Sequence, residues 1–302
     1  MKKELAIIVP VYNGERVIEG LLGTLLRDDR GDLEVIAVDD GSTDGTFTVL
    51  SKYRVRAIRL ERNQGIAHAR NAGLDAADAE YAAFVDADCV VPEGWAEGMV
   101  AEFKKLRQAD KKIAAMSGQV LPFEDDFAGR LAAYVEHWEY LGGKPEARLK
   151  LSTSCCICDM EALRTTGKFD ESLTVDEDRE LALRMVSNGY TVFYDPRVSV
   201  RHRHDRTSVK AIISHQFFWG EKTGLINEWR YREIRGLWFL RFIKNPAVYL
   251  IAAPLLCAIL TFRIVARVFR EDKRVVWAVP FIFAAKMSYR LGVSKWLLNN
   301  RI

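Results

Sequence analysis

The feature that most constrains the fold is an alternation over the first 125 residues. Short β-branched runs at 5–11, 33–38, 55–60, 81–85 and 114–120 take turns with helical stretches. Apolar Val17, Ile18, Leu21, Leu22, Leu25 and Leu26 recur at helical spacing, and 46–53 and 65–77 read as further helices. Strands spaced by helices of this length predict an α/β domain with a parallel sheet covered on both faces. Ligands of such sheets sit beyond the carboxyl ends of the strands, so polar residues there point to function.

After Gly118 the pattern loosens. Residues 128–141 read as an aromatic helix, 152–158 as a run of small residues, 178–188 as a helix closed by Gly189, and 191–194 as a strand. From residue 208 the chain turns aromatic, basic and apolar.

At 49% hydrophobic residues, a packed core is expected and wholesale disorder is excluded. The formal net charge of +3 excludes a generic polyanion binder, and no nucleic-acid partner is expected. That average conceals a split: residues 229–302 hold 14 Lys/Arg against three acids, so residues 1–228 are acidic. The five cysteines (Cys89, Cys155, Cys156, Cys158, Cys257) show no zinc-ligand spacing and read as free thiols of a reducing compartment. The run 5–11 is short, contains Pro10 and ends in polar residues. It therefore reads as a strand rather than a targeting signal, and a cytoplasmic catalytic body is expected.

Each strand end releases acids. Val38 leads into Asp39-Asp40-Gly41-Ser42-Thr43-Asp44, and Val85 into Asp86-Ala87-Asp88. On a strand, residues i and i+2 face one way, so Asp86 and Asp88 are expected to converge as ligands for a hard divalent cation. The alternative is a turn in which the aspartates cap backbone N–H groups.

The blocks Pro10-Val11-Tyr12-Asn13-Gly14-Glu15, Asp39 to Thr46, Arg62 to Gly73 and Phe84-Val85-Asp86-Ala87-Asp88 occur in this order at the strand ends. Together they resemble the family 2 glycosyltransferases, over about residues 5–225. The resemblance implies the GT-A fold, a Rossmann-like mixed sheet with helices on both faces, and Mn2+ or Mg2+ as cofactor. It implies a nucleotide-sugar donor held by Pro10, Val11, Glu15, Asp39, Arg70, Asp86 and Ala87. Asp39 would accept from a base N–H, Glu15 would lie near the ribose, and Arg70 would brace the donor site, although Arg70 also fits a helix-face salt bridge. Asp88 would ligate the metal, joined by His202 of the segment Val200-Arg201-His202-Arg203-His204. No Gly-x-x-x-x-Gly-Lys loop occurs, so the metal would carry most of the diphosphate charge.

Gly167-Lys168-Phe169-Asp170 and Glu177-Asp178 resemble the family's acceptor-side blocks. They imply Asp178 as the general base that takes a proton from the acceptor hydroxyl. Glu177, Gln216 and Trp219 are placed on the acceptor side. Acids in a first helical turn also favour the macrodipole, and Thr174-x-x-Glu177 spaces a capping box, so Glu177 and Glu180 fit structural roles as well. Gln216-Phe217-Phe218-Trp219 lacks the arginine of the processive synthases' Gln-x-x-Arg-Trp, which argues against polymerisation.

In the tail, residues 247–262 carry no charge, and five of the seven tryptophans fall among the last 84 residues beside Lys and Arg. Such a helix spans about 24 Å, short of a ~30 Å bilayer core. The expected layout is a catalytic domain at 1–207, amphipathic interfacial helices at 208–245, and membrane-embedded hydrophobic helices at 246–302. The whole reads as an inverting, metal-dependent transferase that moves one sugar to a lipid-linked or glycan acceptor at the cytoplasmic membrane face. GDP-mannose is placed ahead of UDP-sugars as donor. The alternatives are a polyprenyl-phosphate sugar synthase, served by Arg201, Arg203 and Arg206, or a non-catalytic membrane scaffold.

Overall fold

The computed structural model describes residues 2–27, 31–204, 206–223, 230–231 and 245–300. The chain runs β1 (Lys3–Val11), α1 (Ile18–Leu25), β2 (Leu33–Asp39), α2 (Thr46–Leu50), β3 (Arg56–Arg59), α3 (Ile66–Ala76) and β4 (Ala79–Phe84). It continues with β5 (Cys89–Val90), α4 (Trp95–Ala109), β6 (Ile113–Pro122), α5 (Phe127–Glu136), a short 3-10 turn (Trp138–Tyr140), β7 (Glu146–Arg148) and β8 (Cys156–Asp159). Last come α6 (Met160–Thr166), α7 (Glu177–Ser187), β9 (Thr191–His202), α8 (Val209–Thr223), α9 (Pro246–Val268) and α10 (Val275–Asn299).

Two compact units result: Met1–Val120 with Lys144–Arg203, and Leu121–Gly143 with His204–Ile302. The first is an α/β unit. Its sheet, in order β3-β2-β1-β4-β8-β6-β9-β5 with β7 added to β9, is parallel from β3 to β4. It then becomes mixed, because β8 runs antiparallel to both β4 and β6. The parallel sheet read from the strand–helix alternation therefore holds for the first four strands, and the whole is the mixed sheet that the family resemblance implies.

The reason β1 is central is visible in its burial. Leu5 to Val9 are at most 2% exposed, as a strand covered on both faces requires. Ile8 packs with Phe84, Cys156 and Leu181, whereas Ala6 packs with Ile36, Val38 and Ala69. Gly73 of α3 lies so close that a Cβ would stand 2.5 Å from Ile8 Cγ2. Helix α4 was not anticipated, although Trp95, Met99 and Phe103 recur every four residues on its buried face. Strands β5 and β7 are too short to announce themselves.

The second unit is helical. Leu131 and Val135 of α5 share a core with Ile212, Ile264, Val275 and Ile282, so residues 121–143 join the C-terminal helices rather than the catalytic unit. The expected boundary at 207 is thus discontinuous. Helices α8 and α10 cross at backbone contact: a Cβ on Gly220 would lie 2.0 Å from Tyr289 O, and one on Gly292 2.1 Å from Phe217 O. Of the span 208–245, expected to hold amphipathic interfacial helices, α8 covers Val209–Thr223. Most of that span beyond residue 223, with Trp229 and Trp238, lies outside the described residues.

Candidate active site

The ends of β1 and β2 lie side by side, with Val11 opposite Asp39. Asn13 adopts a positive φ of 49°, which turns the chain back so that its Oδ1 accepts from Thr43 N at 2.9 Å. Ser42 Oγ accepts from Asn13 N at 2.9 Å, and Thr46 Oγ1 accepts from Gly14 N at 2.8 Å. Glu15 Oε2 accepts from Gly45 N at 3.1 Å. The two loops are thereby laced into one rim that carries Pro10, Val11, Glu15 and Asp39.

Asp39 is fully buried. Its Oδ1 accepts from Ser42 N at 2.9 Å, while Oδ2 has no hydrogen-bond donor and meets Arg59 Nε only at 3.6 Å. A buried acceptor without a donor is costly unless a ligand supplies one. Asp40 accepts from Gln64 N and Gly65 N at 2.8 and 2.9 Å, which anchors the start of α3. Burial still pushes the Asp40 pKa up despite those two donors.

Residues Asp86 to Asp88 lie in the turn between β4 and β5, not on a strand, so strand alternation does not govern them. The turn gives the two aspartates different partners. Asp86 Oδ1 receives Arg70 Nη2 at 3.0 Å, and its Oδ2 accepts from Ser154 Oγ at 2.6 Å. Asp88 Oδ1 stands 3.3 Å from His202 Nε2, and the Asp88 carbonyl accepts from Arg203 N at 2.9 Å. Ala87 sits between them, partly exposed. Burial would raise the Asp86 pKa, but the Arg70 and His202 charges and the Ser154 hydrogen bond pull it below the usual carboxylate value.

Arg70 is 2% exposed and rises from α3 to bridge two segments. Besides Asp86 it binds Glu177 at the start of α7. Burial opposes its charge, yet Glu177, Asp86 and Asp178 together hold it charged more firmly than a free arginine. Arg70 is thus a buried brace rather than a helix-face salt bridge. Glu177, expected on the acceptor side, is 5% exposed and occupied by that brace. The Thr174-to-Glu177 capping box does not form: the N-cap is Asp176, held at φ 67° with no side-chain cap. Its carboxylate pairs with Arg179 at 3.1 Å instead.

Asp178 follows Glu177 and remains partly exposed, with Oδ1 accepting from Arg179 N at 2.7 Å. Desolvation, with the nearby Glu177 and Asp176 charges, pushes its pKa up to about 7. A carboxyl poised there can accept a proton near neutrality. The neighbouring loop is fixed by Asn71, which exchanges two 3.0 Å hydrogen bonds with the Phe169 backbone and donates to Glu171 Oε1 at 2.7 Å. One helix, α3, thus ties the 62–73 block to the 167–178 block.

Gln216 and Trp219 belong to α8 in the helical unit, apart from this constellation in the domain division. Gln216 is buried, and Trp219 faces the His215 ring at a centroid distance of 5.2 Å. Arg206 Nη2 donates to the buried Glu136 carboxylate at 2.8 Å.

Asp88 and His202 fit a divalent cation. Ligand atoms about 2.1 Å from one ion lie about 3 Å apart when adjacent in its shell, close to the 3.3 Å seen here. Residues 6–168 match the family model described as Glycosyl transferase family 2. The chain belongs to that family. Among its relatives is a pre-mycofactocin glycosyltransferase of Mycobacterium tuberculosis, 28% identical over 229 residues, or 72% of this chain and 46% of the relative. The chain therefore spans about half the length of that relative. In structure it resembles a mannosyltransferase from Pyrobaculum calidifontis in complex with GDP-Man and Mn2+, at TM-score 0.61 and 22% identity. That match covers 94% of this chain and 86% of the other. S. aureus TarS 1-349 in complex with UDP-GlcNAc matches at TM-score 0.56 and 17% identity, covering 98% and 92%. These likenesses support the GT-A fold.

Within this family 2 site, three contributors escaped the sequence reading. Ser154 holds Asp86, and the run of small residues at 152–158 was its only signal. Asp176 sets the start of α7 in a left-handed conformation that no local pattern announces. Cys89 lies beside Asp88 and His202.

Proposed function

We propose that this family 2 glycosyltransferase moves one sugar from a nucleotide-sugar donor to a hydroxyl acceptor, with inversion. The observation that carries the reading is the placement of two acids next to those that Arg70 pairs with: Asp88 beside His202, and Asp178 with its pKa raised to about 7. The Asp39 oxygen that lacks a donor suits a nucleobase N–H, and Glu15 on the same rim suits the ribose. A divalent cation held by Asp88 and His202 would neutralise the leaving diphosphate. Asp178 takes the acceptor proton as the oxygen attacks the anomeric carbon, and the Arg70 brace keeps Asp86 and Glu177 from competing for it. GDP-mannose is the preferred donor, because the structural relative of higher TM-score holds GDP-Man; TarS, which holds UDP-GlcNAc, keeps UDP-sugars as the competing case.

The acceptor is proposed to be lipid-linked, and the enzyme to lie on the cytoplasmic membrane face. Helix α9 is the described helix long and apolar enough to cross a bilayer, yet 28% of its apolar window is buried. Tyr249, Ala253, Cys257, Ile264 and Val268 face inward, while Val248, Ile251, Leu255, Ile259 and Phe262 form an outward apolar stripe. Helix α10 spends its bases inside the unit: Lys286 donates to Val135 O, Arg290 to Tyr249 Oη, and Lys295 pairs with Glu221. This favours α9 lying in the interface over a spanning α9–α10 hairpin. Among the arginines that a polyprenyl-phosphate acceptor would need, Arg206 is committed to Glu136, which favours a glycan hydroxyl instead.

Thermal-shift titration of GDP and UDP, each with and without Mn2+, tests the donor site. Stabilisation by GDP with Mn2+ is expected, and a response to neither nucleotide would end the reading. Flotation with anionic vesicles tests the membrane face: Leu255→Asp with Phe262→Asp should abolish binding.

A further inference from the structure

Strand β5 is two residues long and pairs with the last turn of β9, which sets Cys89 directly opposite His202. Side chains of directly opposed residues emerge on one face of the sheet, about 4.5–5.5 Å apart at Cβ. The Cys89 Sγ, an Asp88 carboxylate oxygen and a His202 ring nitrogen all lie within 4.8 Å of one another. Cys89 is 1% exposed and His202 8%, so the cluster is enclosed on the protein side. Asp88 keeps a side-chain exposure of 34%, which leaves the ligand side open. The contact of Cys89 Sγ is a weak one, to Ser154 O at 3.8 Å.

A carboxylate, an imidazole and a thiol do not select one ion. The carboxylate oxygen suits Mn2+ or Mg2+ and the imidazole nitrogen tilts the pair toward Mn2+, whereas sulfur selects Zn2+ and other thiophilic ions; Zn2+ sites can take three protein ligands and an open position. We infer that the donor-metal site has a second, sulfur-ligated state in which Zn2+ is held by Asp88, Cys89 and His202. On entry the Cys89 S–H bond breaks, a Zn–S bond forms, and the proton passes to solvent, with no change of oxidation state. Zinc in this state occupies the place of the activating ion and competes with it. Buried sulfur thus makes the enzyme sensitive to the ratio of zinc to manganese. The inference rests on the reading of Asp88 and His202 as metal ligands, but its test does not depend on turnover.

X-ray absorption at the zinc edge of the wild-type protein carrying one equivalent of Zn2+ decides it. One sulfur neighbour at about 2.3 Å, with lighter ligands at about 2.0–2.2 Å, is expected. A shell of oxygen and nitrogen alone would overturn the sulfur state while leaving Asp88 and His202 as metal ligands. Failure to bind Zn2+ at all, in a protein that binds Mn2+ by electron spin resonance, would overturn it as well. Failure to bind either ion would overturn the metal-site reading itself, and the inference with it. In Cys89→Ser the sulfur neighbour should vanish, and Zn2+ affinity relative to Mn2+ should fall by about 10-fold or more, the scale seen even for outer-shell losses. A sulfur neighbour persisting in that variant would assign zinc to another cysteine and sink the inference. If the variant does not fold, the wild-type spectrum still decides.

Discussion

The turn after β4 holds the acids Asp86 and Asp88, the start of α7 the adjacent acids Glu177 and Asp178, and the two pairs divide their partners in the same way. In the first, Asp86 is tied to Arg70 and Ser154 while Asp88 faces His202. In the second, Glu177 is tied to Arg70 while Asp178 keeps a raised pKa. A single buried arginine pairs with one carboxylate of each pair, and the other carboxylate is the one to which we assign chemistry. Adjacency in sequence therefore says little about role. The partner supplied by α3 decides which acid is structural.

The comparison breaks most visibly at Asp178. Asp178→Asn should cut turnover by about 10²–10⁴-fold, the usual worth of a general base, with donor affinity by calorimetry unchanged. Retained turnover would remove Asp178 from its role. Arg70→Met should disable both pairs at once, costing about 3–5 kcal/mol in urea unfolding because two carboxylates lose their buried partner. The wild-type rate should rise as pH passes through about 7, where Asp178 ionises.

Stability should run the other way. A carboxyl whose folded pKa lies above its unfolded value binds more protons when folded, so the stability contributed by Asp178 is lost as pH rises from about 4 to about 7. Asp178→Asn should flatten that loss in melts taken across the same range. Glu177→Gln should cost about 1–3 kcal/mol of stability, with a smaller loss of turnover than at Asp178. Ser154→Ala is the mildest probe, at about 1 kcal/mol, and should affect donor KM before kcat by loosening Asp86.

Much of the first unit was legible because hydrophobic period and strand-end acids reinforce one another. The four parallel strands and helix α3 fall close to where β-branched runs and the 65–77 pattern place them. The antiparallel insertion of β8 between β4 and β6 was not, since Cys156 to Asp159 carry no cue to direction. Asp178 was singled out by resemblance, but the raised pKa that suits it to the task depends on packing that no local pattern encodes. Which of the two roles open to Glu177 its carboxylate serves was not legible for the same reason, because its partner lies 107 residues away. In the second unit, composition marked α9 as apolar, while the inward use of Lys286 and Arg290 emerged only with the neighbours in place.

The hydrogen bonds that Asn71 exchanges with Phe169, and the Arg70 brace beside them, also bear on how the enzyme can be re-engineered. Donor-side and acceptor-side halves of such a sheet look like interchangeable modules for building chimeras. Here a graft that took residues 1–120 alone would leave a buried guanidinium and a buried amide facing strangers. A swap that respects the molecule must carry the 167–178 segment together with α3, as one inheritable cassette.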